Sequence, residues 1–181
     1  LVRVVVVGGG VVGVITLYHL AKKGWKGVVL CERKELTSGS TWHAAGLLPL
    51  FNMSYSVGKL HQYSVNFYHE LERETEQDVG LKVVSNIRLA CNQDRMDEYR
   101  YYSSVAQTVG VEVNFLTPED VKLKWPMANV EGVVGAIQHP HDGYIQPADL
   151  TQALAKGARS LGAEIYRHTT VTHLVAQPDN S

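Results

Sequence analysis

Residues 2–32 read VRVVVVGGGVVGVITLYHLAKKGWKGVVLCE. Val2–Val7 is a valine run broken only by Arg3, the pattern of a strand buried on both faces of a parallel sheet. Gly8-Gly9-Gly10 ends the run. Apolar residues then recur at Val11, Val14, Ile15, Tyr18 and Leu20, and Lys22-Lys23 followed by Gly24 close the segment as a helix with cations in its last turn. Val28–Cys31 is a second apolar strand ending at Glu32. The stretch therefore predicts β-α-β, about one crossover unit in length.

Within it, Gly8-x-Gly10-x-x-Gly13 comes after a strand and opens a helix, and Glu32 stands nineteen residues beyond the last glycine. Each position has a physical task in dinucleotide binding. Gly8 permits the tight turn, Gly10 lets a pyrophosphate approach the backbone, and Gly13 lets the helix lie close on the strand. The helix start supplies N–H groups and partial positive charge. A carboxylate at Glu32 can accept from both ribose hydroxyls, and its negative charge disfavours a 2′-phosphate. FAD and NAD both satisfy this fingerprint. The segment after Glu32 separates them: an NAD-binding crossover would continue into a helix, whereas Thr37–Gly46 is small, polar and glycine-bearing, a loop with Ser38, Ser40 and Thr41 hydroxyls. That suits a second grip on a pyrophosphate running toward a flavin.

Beyond the loop, Val57, Leu60, Ser64, Phe67 and Leu71 mark one face of a helix. Lys82–Cys91 reads as a strand, and Met96–Val109 as a helix stopped by Gly110. A short strand comes next, around Val113 and Phe115. Thr117-Pro118-Glu119-Asp120 is a helix start ended by Trp125-Pro126. Val133–Gln138 reads as a strand and Asp142-Gly143 as a turn. Pro147–Leu161 is a helix with Leu150, Leu154, Ala158 and Leu161 inward, lacking a good cap at Gln146. Ala163–Tyr166 and Val171–Val175 are expected strands.

The chain of 181 residues carries a formal net charge of −1, with 19% charged and 45% apolar residues. That composition excludes a mainly disordered chain and argues against nucleic-acid binding by bulk charge. The longest apolar run, Val4–Leu17, is too short to span a membrane, and its glycines spoil a signal-peptide reading. Cys31 and Cys91 read as two buried thiols rather than a disulfide or zinc site. His139-Pro140-His141-Asp142 reads as a loop rim, His61 and His69 are too far apart for a helical metal pair, and no metal site is expected. Arg88 reads as a solvated charge. By residue type, His43 fits either a packing residue or a functional one.

The segment ELTSGSTWHAAGL (residues 35–47) resembles the flavin-attachment segment of the dimethylglycine dehydrogenase and sarcosine dehydrogenase group, within the D-amino-acid-oxidase-like flavoproteins. LYHLAKKGW, QDRMDEY, HPHDGY and PADLTQALAKGARSLGAEI extend the resemblance over nearly the whole chain. It implies a Rossmann-like α/β fold of glutathione-reductase type, with residues 1–50 and 147–181 as the FAD-binding core and 51–146 as an incomplete substrate-side α+β region. It implies that Gly8, Gly10, Val11, Val12 and Gly13 line the pyrophosphate turn, and that Glu32 and Arg33 meet the adenosine ribose. Gly39, Ser40, Thr41, His43, Ala44, Ala45, Gly46 and Leu47 would wrap the flavin side, with FAD covalently attached at His43. Val171 would touch the adenine.

The activity implied is N-demethylation of a methylated amine by hydride transfer to FAD. Electrons would pass to an electron-transfer flavoprotein or oxygen, with tetrahydrofolate possible in the full-length protein and no catalytic base within this span. The location implied is cytoplasmic in a bacterium or the mitochondrial matrix in a eukaryote. The alternatives are an oxygen-using amine oxidase and a non-catalytic regulatory protein of the same fold. A sheet strand beyond the first and the later isoalloxazine-side residues are not in this sequence, so the chain is expected to be the N-terminal part of an enzyme and inactive alone.

Overall fold

The valine run forms β1 (Val4–Val7), a sharp turn comes next, and α1 (Val11–Lys22) leads into β2 (Val28–Cys31). In this computed structural model, residues 1–50 and 54–175 are described. A single 3-10 turn, Ser40–His43, lies in the stretch expected to be wholly loop. The order continues β3 (Leu47–Leu48), α2 (Tyr55–Thr75), β4 (Lys82–Val83), β5 (Asn86–Ala90) and α3 (Gln93–Val109). It closes with β6 (Asn114–Leu116), α4 (Pro118–Lys124), β7 (Gly135–His139), β8 (Gly143–Tyr144), α5 (Pro147–Ser160) and β9 (Glu164–Tyr166).

Two compact units result. The first holds residues 1–46, 69–80 and 146–175; the second holds the described residues of 47–68 and 81–145. Residues 69–80, which the sequence pattern groups with the inserted region, pack with the crossover.

In the first unit β1, β2 and β9 form a parallel sheet in the order β1-β2-β9. Val4 pairs with Val28, and Leu30 with Ile165. Helices α1 and α5 pack together through Val14, Leu17, Tyr18 and Ala21 on one and Leu150, Leu154, Gly157 and Ala158 on the other. Gly157 is required at the crossing: a Cβ there would stand 2.7 Å from the Tyr18 ring. The Tyr18 hydroxyl donates to Glu74, which Lys22 meets at 2.7 Å, so the buried phenol ends in an ion pair. The expectation of a first strand buried on both faces fails. Val5 and Val7 are 50% and 59% exposed, because the helices of this unit cover only the other face.

The second unit has two small antiparallel sheets, β3-β8-β4 and β5-β7-β6. Tyr102, Ala106, Val109, Val111 and Ile137 form one core cluster, and Leu116, Val121, Ala128 and Ala136 another. Local signals operate as expected here. Gly110 ends α3 at φ +79°, and Thr117 and Asp120 form a reciprocal capping box on α4.

Longer-range effects change several assignments. The strand expected over Lys82–Cys91 breaks at Val84-Ser85, where Ser85 has φ +73° and both amides donate to the Asp142 carbonyl. Gly143 lies in β8 rather than in a turn, against Lys82, where a Cβ would come within 2.1 Å of its carbonyl oxygen. Leu60 and Leu161 are exposed, not inward. Val171–Val175 has no regular structure. Cys91 is exposed and Cys31 half-buried, so they are not two buried thiols.

His139 is not on a rim. It is 1% exposed, edge-on to Tyr102, and burial pushes its imidazole below the ordinary range. Arg88 stacks over the Tyr102 ring rather than standing in solvent.

Candidate functional site

The parallel strands of the first unit end at a common edge, where open α/β sheets hold their ligands. The turn after β1 is fixed by main chain. The Gly8 amide donates to the Cys31 carbonyl at 2.9 Å and Gly8 takes φ +109°, a conformation open to glycine. A Cβ at Gly13 would lie 2.0 Å from the Gly8 carbonyl oxygen, so α1 sits directly on the turn. Nothing lies within 4 Å of a Cβ built at Gly8. Open space is thus held above the turn, at the start of a helix with no acidic residue in its first turn. The donor set and the room fit a pyrophosphate.

That space belongs to a cleft of about 320 Å³. Gly8, Gly10, Val11, Val12, Glu32, Arg33, Gly39, Ser40 and Thr41, all singled out from the sequence, line it together. Gly13 lies beneath it. A second cavity, about 300 Å³, runs from Gly8 and Glu32 past Arg33 to Thr169, Thr170 and Val171. Val171 lines this second cavity, and the strand expected there is absent. His43, Ala44, Ala45, Gly46 and Leu47 line neither cavity. Leu47 begins β3 in the second unit, beside a separate pocket of about 220 Å³ that includes His61 and Tyr68.

Glu32 is engaged at both carboxylate oxygens. Oε2 accepts from the Gly9 amide at 2.6 Å and Oε1 from the Lys34 amide at 2.7 Å. The carboxylate is thereby aimed along the glycine turn. Beyond it, the Thr169 amide donates to the Glu32 carbonyl, and Arg167 and His168 both meet Glu35, holding the Glu35 carboxyl below its usual range.

In the loop, Thr41 is buried, and its Oγ1 accepts from the Val11 amide at 3.0 Å. His43 is exposed and leans on Trp42, ring centroids 4.1 Å apart. Its Nδ1 lies 3.1 Å from the Gly39 carbonyl. A carbonyl only accepts, so Nδ1 carries the hydrogen of this contact and Nε2 of the neutral ring keeps its lone pair.

Sequence reasoning missed four contributors: Gly9, Lys34, Thr169 and Thr170. Gly9 was legible as the middle of a glycine triplet. A Cβ there would strike Leu36 and Glu32 at 2.7 and 2.9 Å. The two threonines were legible only as small polar residues just past a strand parallel to β2.

Residues 3–180 match the family model described as FAD dependent oxidoreductase. Human mitochondrial dimethylglycine dehydrogenase is 43% identical over 177 residues, covering 98% of this chain and 20% of that protein. Human mitochondrial sarcosine dehydrogenase is 40% identical over 179 residues, with the same two coverages. Both relatives thus extend well beyond this chain, which spans about a fifth of their length. The crystal structure of L-proline dehydrogenase from P. horikoshii superposes with a TM-score of 0.90 at 25% identity, covering 98% of this chain and 47% of that one. A glycine turn opening α1 between parallel strands, an acid at the end of β2 and a family match over nearly every residue agree: the chain belongs to the FAD-dependent oxidoreductases.

Proposed function

We propose that this chain is the FAD-holding part of an enzyme that oxidises an N-methyl amine such as dimethylglycine or sarcosine. One observation carries the reading: the glycine turn, Glu32 and the Gly39–Thr41 loop line a single cleft in a chain about 40% identical to dehydrogenases of those two amines. In this reading Gly8, Gly10, Val11, Val12 and Gly13 line the pyrophosphate turn, and Glu32 and Arg33 meet the adenosine ribose. Val171 meets the adenine. Gly39–Leu47 wraps the flavin, and His43 is its covalent attachment point. Residues 1–50 and 147–181 act as the cofactor core, and 51–146 as part of the substrate side.

FAD held by these residues would supply a hydride acceptor for the N-methyl carbon, and the resulting iminium would be hydrolysed to formaldehyde and the demethylated amine or captured by tetrahydrofolate. The protein contributes orientation. Glu32 is pre-aimed by the Gly9 and Lys34 amides, and the His43 tautomer is set by the Gly39 carbonyl. Electrons leave to an electron-transfer flavoprotein or to oxygen, and in a eukaryote the setting is mitochondrial.

The test is the absorption spectrum of the full-length protein before and after acid precipitation and washing. Flavin bands that stay with the pellet, and that a His43→Ala protein loses, are the expected result. Flavin retained covalently by His43→Ala removes His43 from the role. Bleaching by dimethylglycine or sarcosine without peroxide release is expected of a dehydrogenase; peroxide would assign an oxidase instead.

A further inference from the structure

Gly10 is the cap residue of α1 and has no side chain with which to satisfy the first amides of the helix. Thr41, 30 positions beyond Val11, does so instead: its Oγ1 accepts from the Val11 amide at 3.0 Å. Of the four residues in the Ser40–His43 turn, Thr41 alone is buried, at 8% exposure. Helix α5 packs against the same turn. Gly10 and Thr41 are mutually fitted, since a Cβ at Gly10 would stand 3.0 Å from that hydroxyl oxygen. The two neighbours of Thr41 in the turn, Ser40 and Trp42, are both exposed and make no such tie.

We infer that Thr41 is a positioning residue: its hydroxyl acts as a long-range cap that clasps the His43-bearing loop onto the start of α1. The Val11 amide is then committed to the loop, and the open cleft is left to the remaining amides of the turn. Because His43 is two residues from the clasp, with its ring steered by the Gly39 carbonyl, fixing Thr41 restricts where the imidazole can go. This deepens the proposed function and rests on it for the part that concerns covalent flavin; the clasp itself stands on geometry within the first unit.

The test compares Thr41→Val with Thr41→Ser in the full-length protein. Residue-resolved amide exchange is measured at Val11 in the FAD-free form, and the appearance of acid-stable flavin is followed after FAD is added. Thr41→Val is expected to speed Val11 exchange by about five- to tenfold, the loss of one hydrogen bond, and to slow flavin attachment by a similar factor. Thr41→Ser is expected to retain both. Unchanged Val11 exchange in Thr41→Val overturns the clasp, as does equal loss in the serine variant. Slower attachment with unchanged Val11 exchange also overturns it, assigning the hydroxyl to direct contact with the cofactor. Should the valine variant not fold, Thr41→Cys, close to serine in shape but a poor acceptor, replaces it. Wild-type protein whose flavin is wholly released by acid removes the attachment reading, while Val11 exchange still decides the clasp.

Discussion

The two units are held by opposite devices. In the first, close approach depends on side chains that are missing: Gly13 against the Gly8 carbonyl and Gly157 against Tyr18. In the second, packing gathers around polar groups taken out of water. The Asp142 carbonyl accepts from Val84 and Ser85, its carboxylate accepts from the Leu50 amide at 2.9 Å, and His139 is buried beside Tyr102. The first unit is therefore sensitive to volume, and the second to hydrogen bonding and to the protonation of His139. The distinction arises from topology. A parallel crossover satisfies its main chain by strand pairing and needs helices close to the sheet. Short antiparallel ribbons of two or three residues leave amides at their ends that a buried acid must take up.

The largest effect that would sharpen this contrast is expected at Gly13. Gly13→Ala drives a methyl into the Gly8 carbonyl, and the first unit should lose about 3 kcal/mol or more, read as collapse of amide-exchange protection in β1 and β2. Gly39→Ala, with nothing within 4 Å of its Cβ, should change protection by less than about 0.5 kcal/mol. Equal effects at the two glycines would break the volume argument.

Next in size is Asp142→Ala, which leaves the Leu50 amide without its acceptor. Protection of the β5–β7 ladder should fall by about 1–3 kcal/mol, with Asp142→Asn, which keeps an acceptor, losing less. An asparagine variant as damaged as the alanine one would show that charge, not the hydrogen bond, matters.

The smallest effect concerns acid. His139 is pushed below the ordinary histidine value of 6.5 by burial, with Asp142 opposing and Arg88 reinforcing the shift. Between the lowered folded value and 6.5 the unfolded chain binds the extra proton. Stability is therefore fully present above about pH 6.5 and is lost as pH falls toward the folded value. Ladder protection in the second unit should show this acid slope, and His139→Gln should flatten it there.

Much of the fold was legible because it is locally encoded. Glycine placement and apolar period give β1-α1-β2, Gly110 stops α3, and Thr117 with Asp120 caps α4 from residues three apart. The glycine turn and Glu32 were legible as a site for the same reason: a short crossover brings residues 8–13 and 32 to one sheet edge. The features that could not be read needed partners far along the chain. The break at Ser85 depends on the Asp142 carbonyl, and the burial of His139 depends on Tyr102. The exposure of Val5 and Val7 depends on where the helices of the first unit lie.

The sequence by itself determined that a parallel crossover would bring backbone amides and one carboxylate to one sheet edge, because turn sterics and strand burial are set by residue type over about thirty positions. Only the tertiary structure decided what those groups do before any ligand arrives. Glu32 turns to the Gly9 amide, and Thr41 reaches across to the Val11 amide. Both bonds join segments that no local periodicity relates, and they form only when strand, helix and loop are packed together.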